Sequence, residues 1–201
     1  MLSVLFSILR ILVAGIILGV ITGKLLVENP RHLRRLMPRY WKRAMKKMKR
    51  KDWVRLLSTG MATLAASFAI TFFLSNLLVT AGVELENPAE NPIRTIEEIS
   101  PFLILFTANF LPIFEEWIFR AVFIDEIMRR KGSKLLAVLV SSVAFSVFHL
   151  SNPGTYPAYA VSLLPASLLL AWCYLRAGLG GSIFAHNSYN TLIIVMNALT
   201  R

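Results

Sequence analysis

The stretch PFLILFTANFLPIFEEWIFRAVFI, residues 101–124, decides the fold. It is long enough to cross a bilayer, since a transmembrane helix needs about 20 apolar residues. Yet it carries Glu115, Glu116 and Arg120. On insertion scales each such charge costs about 2.5–3.5 kcal/mol at the bilayer centre. Charges retained at that cost are expected to pair, to face the bundle interior and to serve a function.

The composition agrees with a membrane setting. Of 201 residues, 56% are hydrophobic and 16% are charged, and the mean hydropathy is +0.61. Soluble domains average about 45–50% apolar and about 25% charged residues. An ordinary soluble enzyme is therefore excluded, and the length suits one polytopic membrane domain. Cys173 is the only cysteine. It allows no intrachain disulfide and no multi-cysteine zinc site. Its setting, LLLAWCYL (168–175), reads as a buried, inert thiol.

Working outward from 101–124 gives an all-α, polytopic transmembrane helical bundle of about six spans. The first covers about 2–26 and contains Arg10. It lacks the positive charge that precedes the apolar core of a secretory signal, so it is expected to be retained. The second covers 56–83 without a charge, and the third covers about 101–127. The uncharged run 135–175 is too long for one span. SNPGTYP (151–157), rich in turn residues, divides it into a fourth and a fifth. The sixth covers 179–199. No internal repeat is visible.

Charge sets the orientation. Thirteen of the 22 Lys and Arg residues lie between Lys24 and Arg55. By the positive-inside rule this block is cytoplasmic, which places the N-terminus outside a cell membrane. That reading explains the block without nucleic acid, and no nucleic-acid partner is expected. The loop 82–100 is acidic, with Glu84, Glu86, Glu90, Glu97 and Glu98 against Arg94, and is expected outside. Leu33, Leu36, Met37, Tyr40, Trp41, Ala44, Met45 and Met48 recur every three or four residues among the basic ones. This predicts a basic amphipathic interfacial helix, regular from Pro38 onward, against anionic headgroups, with Tyr40 and Trp41 near headgroup level. His32, in the same segment, is expected to be solvated.

The polar residues of the later spans fall into three sets. Glu116 and Arg120 are four apart and share a helix face, so they are expected to pair. Glu115 is turned away by about 100° and has no local partner. Pro112, one turn earlier, kinks the helix or frees a carbonyl. His149, in FSVFHLS, shares a face with Phe145. His186, in AHNSYN, shares a face with Asn190. Polar groups in lipid converge and satisfy one another. Glutamate and histidine are the usual general acids and bases, and histidine and asparagine donate to developing oxyanions. Water activation is the simplest chemistry for such a set. A proton-coupled transporter and a catalytically silent scaffold use the same residue types and stay open at this point.

In order and placement, EEWIFR, FSVFH and HNSYN resemble the EExxxR, FxxxH and HxxxN motifs of the CPBP family of intramembrane proteases. That family includes the type II CAAX prenyl endopeptidases, the Abi proteins and immunity-type proteins. The resemblance covers about residues 100–195. It implies a glutamate-dependent endopeptidase acting on membrane-associated proteins or peptides, prenylated CAAX-type substrates among them. Glu115 would be the general base, activating water together with His149. Glu116 and Arg120 would hold the helix and the catalytic carboxylate, and His186 and Asn190 would form the oxyanion hole. Ala121 stands where many members have glycine after the motif arginine. The sequence lacks HExxH, and no metal and no cofactor is expected. Residues 1–100 are then two N-terminal transmembrane helices with the basic cytoplasmic segment and the acidic external loop, and 101–201 the catalytic core of four. Counted from the cytoplasmic ends, His149 stands about 22 Å and His186 about 10 Å into the membrane, so convergence requires tilted or broken helices.

Overall fold

A computed structural model of the protein describes residues 2–87 and 100–199. It is built from helices: α1 (Leu2–Glu28), a 3₁₀ segment (Pro30–Leu36), α2 (Pro38–Lys47), α3 (Arg50–Thr80), α4 (Pro101–Glu116), a π-helix (Trp117–Ile124), α5 (Asp125–Lys131), α6 (Lys134–Phe148), a 3₁₀ turn (His149–Ser151) and α7 (Pro157–Leu199). Among the described residues, the one β-type pairing is an isolated antiparallel bridge between Glu86 and Thr155. Of the acidic loop, Glu90, Arg94, Glu97 and Glu98 lie outside the described residues.

Among the described residues, five helical stretches are long and apolar enough to cross a membrane: Leu5–Glu28, Arg50–Thr80, Phe102–Lys131, Lys134–Ser151 and Pro157–Leu199. Apolar side chains cover their outer surfaces, with Phe73 and Phe102 among the most exposed, as befits helices solvated by lipid. The last stretch has 43 residues. At 1.5 Å per residue it would run about 65 Å, more than twice the hydrocarbon thickness of about 30 Å. It is broken at Gly178, where φ is 72° and ψ −174°. The fifth and sixth expected spans are therefore two arms of one element, 157–177 and 179–199, turning at a single residue. That φ/ψ region is open almost only to glycine. A Cβ at Gly178 would meet nothing within 4 Å. Gly178→Ala is thus a pure backbone test, expected to cost about 1–3 kcal/mol and to lower the thermal midpoint in detergent.

Helix α3 packs along α7 through small buried residues, Gly60, Thr63, Ser67 and Thr71. A Cβ at Gly60 would lie 2.5 Å from the Phe184 ring, so close approach there requires glycine. The main core surrounds the π-helix and includes Trp117, Phe119, Val122, Ile124, Phe145 and Leu179.

The basic segment forms its regular helix from Pro38, as expected, and departs from expectation at Trp41 and His32. The periodic residues before Pro38 are not part of that helix. Met37 is extended, at φ −77° and ψ 132°, because the residue before a proline is pushed out of the α region. Leu33 and Leu36 therefore belong to the 3₁₀ segment, and α2 starts at Pro38. Trp41 turns inward onto the core, its indole N–H donating to the Arg35 carbonyl at 2.7 Å. His32 is not solvated but 4% exposed. Its Nε2 lies 2.9 Å from Glu126 Oε1, and its carbonyl accepts from Trp117 Nε1 at 2.9 Å. Glu126 supplies an acceptor that lies far away in sequence.

Arg10, the charge in α1, is also accommodated. Its guanidinium donates to the Thr155 carbonyl at 3.2 Å and to the Asn152 carbonyl at 3.4 Å. The loop after His149 thus supplies backbone acceptors to a charge within a span.

Candidate active site

Ser100 caps α4, its hydroxyl accepting from Leu103 N at 3.3 Å, and Pro101 occupies the first turn. The helix then runs to the two glutamates and changes type. From Trp117 to Ile124 it is a π-helix, with every residue but Ile118 buried. Such i→i+5 segments are rare and frequently found at functional sites. The change lies directly behind Glu115 and Glu116.

Glu116 and Arg120 are both fully buried. Arg120 Nε donates to Glu116 Oε2 at 3.3 Å. Its other two nitrogens reach different helices: Nη1 donates to Ser141 Oγ on α6 and Nη2 to Ser167 Oγ on α7, each at 2.9 Å. Ser141 Oγ in turn donates to the Phe119 carbonyl at 2.5 Å. The guanidinium carbon also stands 4.9 Å from the centroid of the Phe145 ring. One arginine therefore joins three helices at a dry point.

The second oxygen of Glu116 is taken as well. His186 Nδ1 lies 3.0 Å from Glu116 Oε1. A buried carboxylate accepts, so this nitrogen carries the hydrogen. The opposite ring nitrogen, Nε2, lies 3.8 Å from Glu115 Oε2. The side chain of Glu115 is 22% exposed and that of Glu116 is 0% exposed. Of the two neighbouring carboxylates, Glu116 is consumed by structure and Glu115 is reachable.

His149 follows the end of α6. Its Nδ1 lies 2.9 Å from the Phe145 carbonyl, which only accepts, so Nε2 keeps a free lone pair. The Phe145 ring stands 4.4 Å from the His149 ring and 5.7 Å from that of His186, centroid to centroid. Glu115 interacts electrostatically with both histidines. The different heights of the histidines are thus reconciled by broken elements. Helix α6 ends at Phe148, the second arm of α7 starts anew after Gly178, and Phe145 fills the space between the two rings.

Asn190 lies one turn beyond His186 and faces α4. Its Nδ2 donates to the Ala108 carbonyl at 3.0 Å. In this arrangement the amide meets the α4 backbone. Next to it, Asn109 and Thr191 exchange side-chain hydrogen bonds at 3.2 Å. Among the described residues, no three of His, Cys, Asp and Glu are gathered to hold a metal ion.

Two polar clamps tie the basic segment to the far end of this helix, and sequence reading missed both. Glu126 accepts from Asn29 Nδ2 at 2.6 Å, meets His32, and pairs with Arg129 at 2.5 Å. Arg130 pairs with Glu28. Arg35 pairs with Asp125 at 2.7 Å and donates to the Tyr174 hydroxyl at 3.0 Å and the Ala121 carbonyl at 3.3 Å. Tyr174 OH closes this second clamp by donating to Asp125 Oδ1 at 2.8 Å. The Glu126–Arg129–Arg130 spacing could have revealed the local part, but nothing in sequence links residues 29–35 to 125–126. Asp125→Asn is expected to weaken the second clamp by about 1 kcal/mol, the scale of a partly exposed pair. Tryptic cleavage within Lys46–Lys51 should then run several-fold faster.

Residues 97–192, just under half of the chain, match the family described as Type II CAAX prenyl endopeptidase Rce1-like. The match takes in Glu115, Glu116, Arg120, His149, His186 and Asn190, and it excludes α1 to α3. The matched family is one of CAAX-type proteases. No curated protein and no solved structure matched the chain.

Proposed function

We propose, from the match of residues 97–192 to a family of type II CAAX prenyl endopeptidases, that this chain belongs with the CPBP intramembrane proteases and is a glutamate-dependent endopeptidase of membrane-associated proteins. The observation that carries the reading is the unequal use of the two glutamates. Arg120 and His186 occupy both oxygens of Glu116. Glu115 keeps a partly exposed carboxylate and interacts with His149, whose Nε2 is free to accept.

A water between Glu115 and His149 loses one proton to the Glu115 carboxylate, and its remaining O–H donates a hydrogen bond to His149 Nε2. The hydroxide attacks the carbonyl carbon of the scissile peptide. The oxygen that becomes negative takes hydrogen bonds from Asn190 and His186. When the C–N bond breaks, the proton held by Glu115 passes to the leaving amine. His186 already gives its Nδ1 hydrogen to Glu116. A second donor at Nε2 requires the imidazolium form. Glu115, Glu116, Arg120 and His186 then sum to zero charge, which suits a site of low dielectric. Glu116 and Arg120 position the base.

The substrates are membrane-associated proteins or peptides, and the match to a prenyl endopeptidase family supports prenylated CAAX-type proteins as candidates. The chain lies in a cell membrane with its N-terminus outside, and the basic segment rests against anionic headgroups. Cells carrying the native chain should contain cleaved membrane-peptide termini that are missing from cells carrying Glu115→Ala at equal expression. Identical sets of termini would count against proteolysis.

A further inference from the structure

Pro112 stands inside α4, one turn before Glu115. Proline has no N–H and its ring crowds the carbonyl four residues back. In α4 that carbonyl belongs to Ala108. Left alone, it would be an unpaired backbone acceptor in a membrane helix, where such groups are costly. The structure supplies a partner, since Asn190 Nδ2 donates to it at 3.0 Å. The pairing joins the two helices that carry Glu115 and His186. It is reinforced one residue further along each chain by the reciprocal Asn109–Thr191 hydrogen bonds.

We propose that Pro112 is a positioning residue for Asn190: it withholds a backbone donor from Ala108, and the freed carbonyl fixes the Asn190 amide against the helix that carries Glu115. A primary amide has two donor hydrogens. Ala108 takes one and fixes the plane of the group. The other remains for the oxyanion, in an orientation set by the first. The proline therefore acts through an asparagine on another helix and not through contact with substrate. This rests on the proposed protease reading for its catalytic consequence, but the Pro112–Ala108–Asn190 link stands on geometry alone.

The experiment is a double-mutant cycle of Pro112→Ala and Asn190→Ala in the purified, detergent-solubilised chain, read in two ways. The first reading is thermal unfolding, which needs no activity. Asn190→Ala should lower the midpoint by several degrees in the native background. It should have little effect in the Pro112→Ala background, where the restored backbone N–H can satisfy the Ala108 carbonyl. Equal losses in the two backgrounds would overturn the link. The second reading is cleavage of a membrane peptide. Pro112→Ala should lower kcat at least 10-fold with KM unchanged and with the midpoint unchanged or raised. Adding Asn190→Ala should lower kcat no further. Losses that multiply would show that the proline acts on Glu115 directly, and the positioning role would be wrong. Absence of Glu115-dependent cleavage by the native chain would sink the protease reading while the unfolding cycle still decides the link.

Discussion

Arg120→Leu is expected to destabilise the chain by about 3–5 kcal/mol, the usual cost of removing one partner of a buried ion pair. Whole domains are stable by only about 5–15 kcal/mol, so most of the variant should be unfolded or degraded. The size of the effect comes from what is left behind. Glu116 is fully buried, and its Oε2 would lose the cation it pairs with. Ser141 and Ser167 would lose their donors as well. Arg120→Lys should fall between, because an ammonium is a point charge and cannot hold three partners in the fork geometry of a guanidinium. The double variant Arg120→Leu/Glu116→Gln should be more stable than Arg120→Leu alone, since it leaves no isolated charge. Thermal unfolding in detergent measures all three. A native midpoint for Arg120→Leu would mean that the charge on Glu116 is compensated by something other than this pair.

Glu115→Gln should have the largest effect on activity and a small one on stability. Loss of a general base typically costs about 10²–10⁴-fold in rate, which is roughly 3–5 kcal/mol of barrier. The side chain is partly exposed, and its nearest charged partner, His186 Nε2, is 3.8 Å away. Glutamine keeps the shape and removes the basic oxygen. The midpoint should move by less than about 1 kcal/mol equivalent, the range of exposed substitutions. Glu116→Gln should show the reverse balance, with a clear loss of stability accompanying any loss of rate. If Glu115→Gln cleaved at the native rate, the base would have to be sought elsewhere.

Much of the arrangement was legible because helix periodicity is short-range. The i,i+4 rule alone paired Glu116 with Arg120, left Glu115 unmatched, and put His186 and Asn190 on one face. Hydropathy marked the spans, and Pro38 marked the start of α2. What was not legible depends on neighbours far along the chain. No local rule tells His32 that Glu126 will stand beside it, or sends Arg10 to the carbonyls of Asn152 and Thr155. Ser141 and Ser167 look like ordinary small residues in apolar spans until Arg120 reaches them. The break between the fifth and sixth spans was legible, but the residue at which the chain turns, Gly178, was not. Glycine marks where a chain is free to turn without stating how, and here YLRAGLGGS (174–182) offers several candidates. The π-helix has no sequence signature to read. It is fixed by the packing of Trp117–Ile124 against α6 and the basic segment.

In the proposed mechanism, water activated at Glu115 cuts a peptide bond. The most direct measurement uses the purified chain in liposomes with membrane peptides, and identifies new termini by mass spectrometry in water enriched in ¹⁸O. One ¹⁸O is expected in each new carboxylate formed by the native chain, and no such termini with Glu115→Gln. Native-rate cleavage by Glu115→Gln, or no cleavage of any membrane peptide by the folded native chain, would contradict this mechanism.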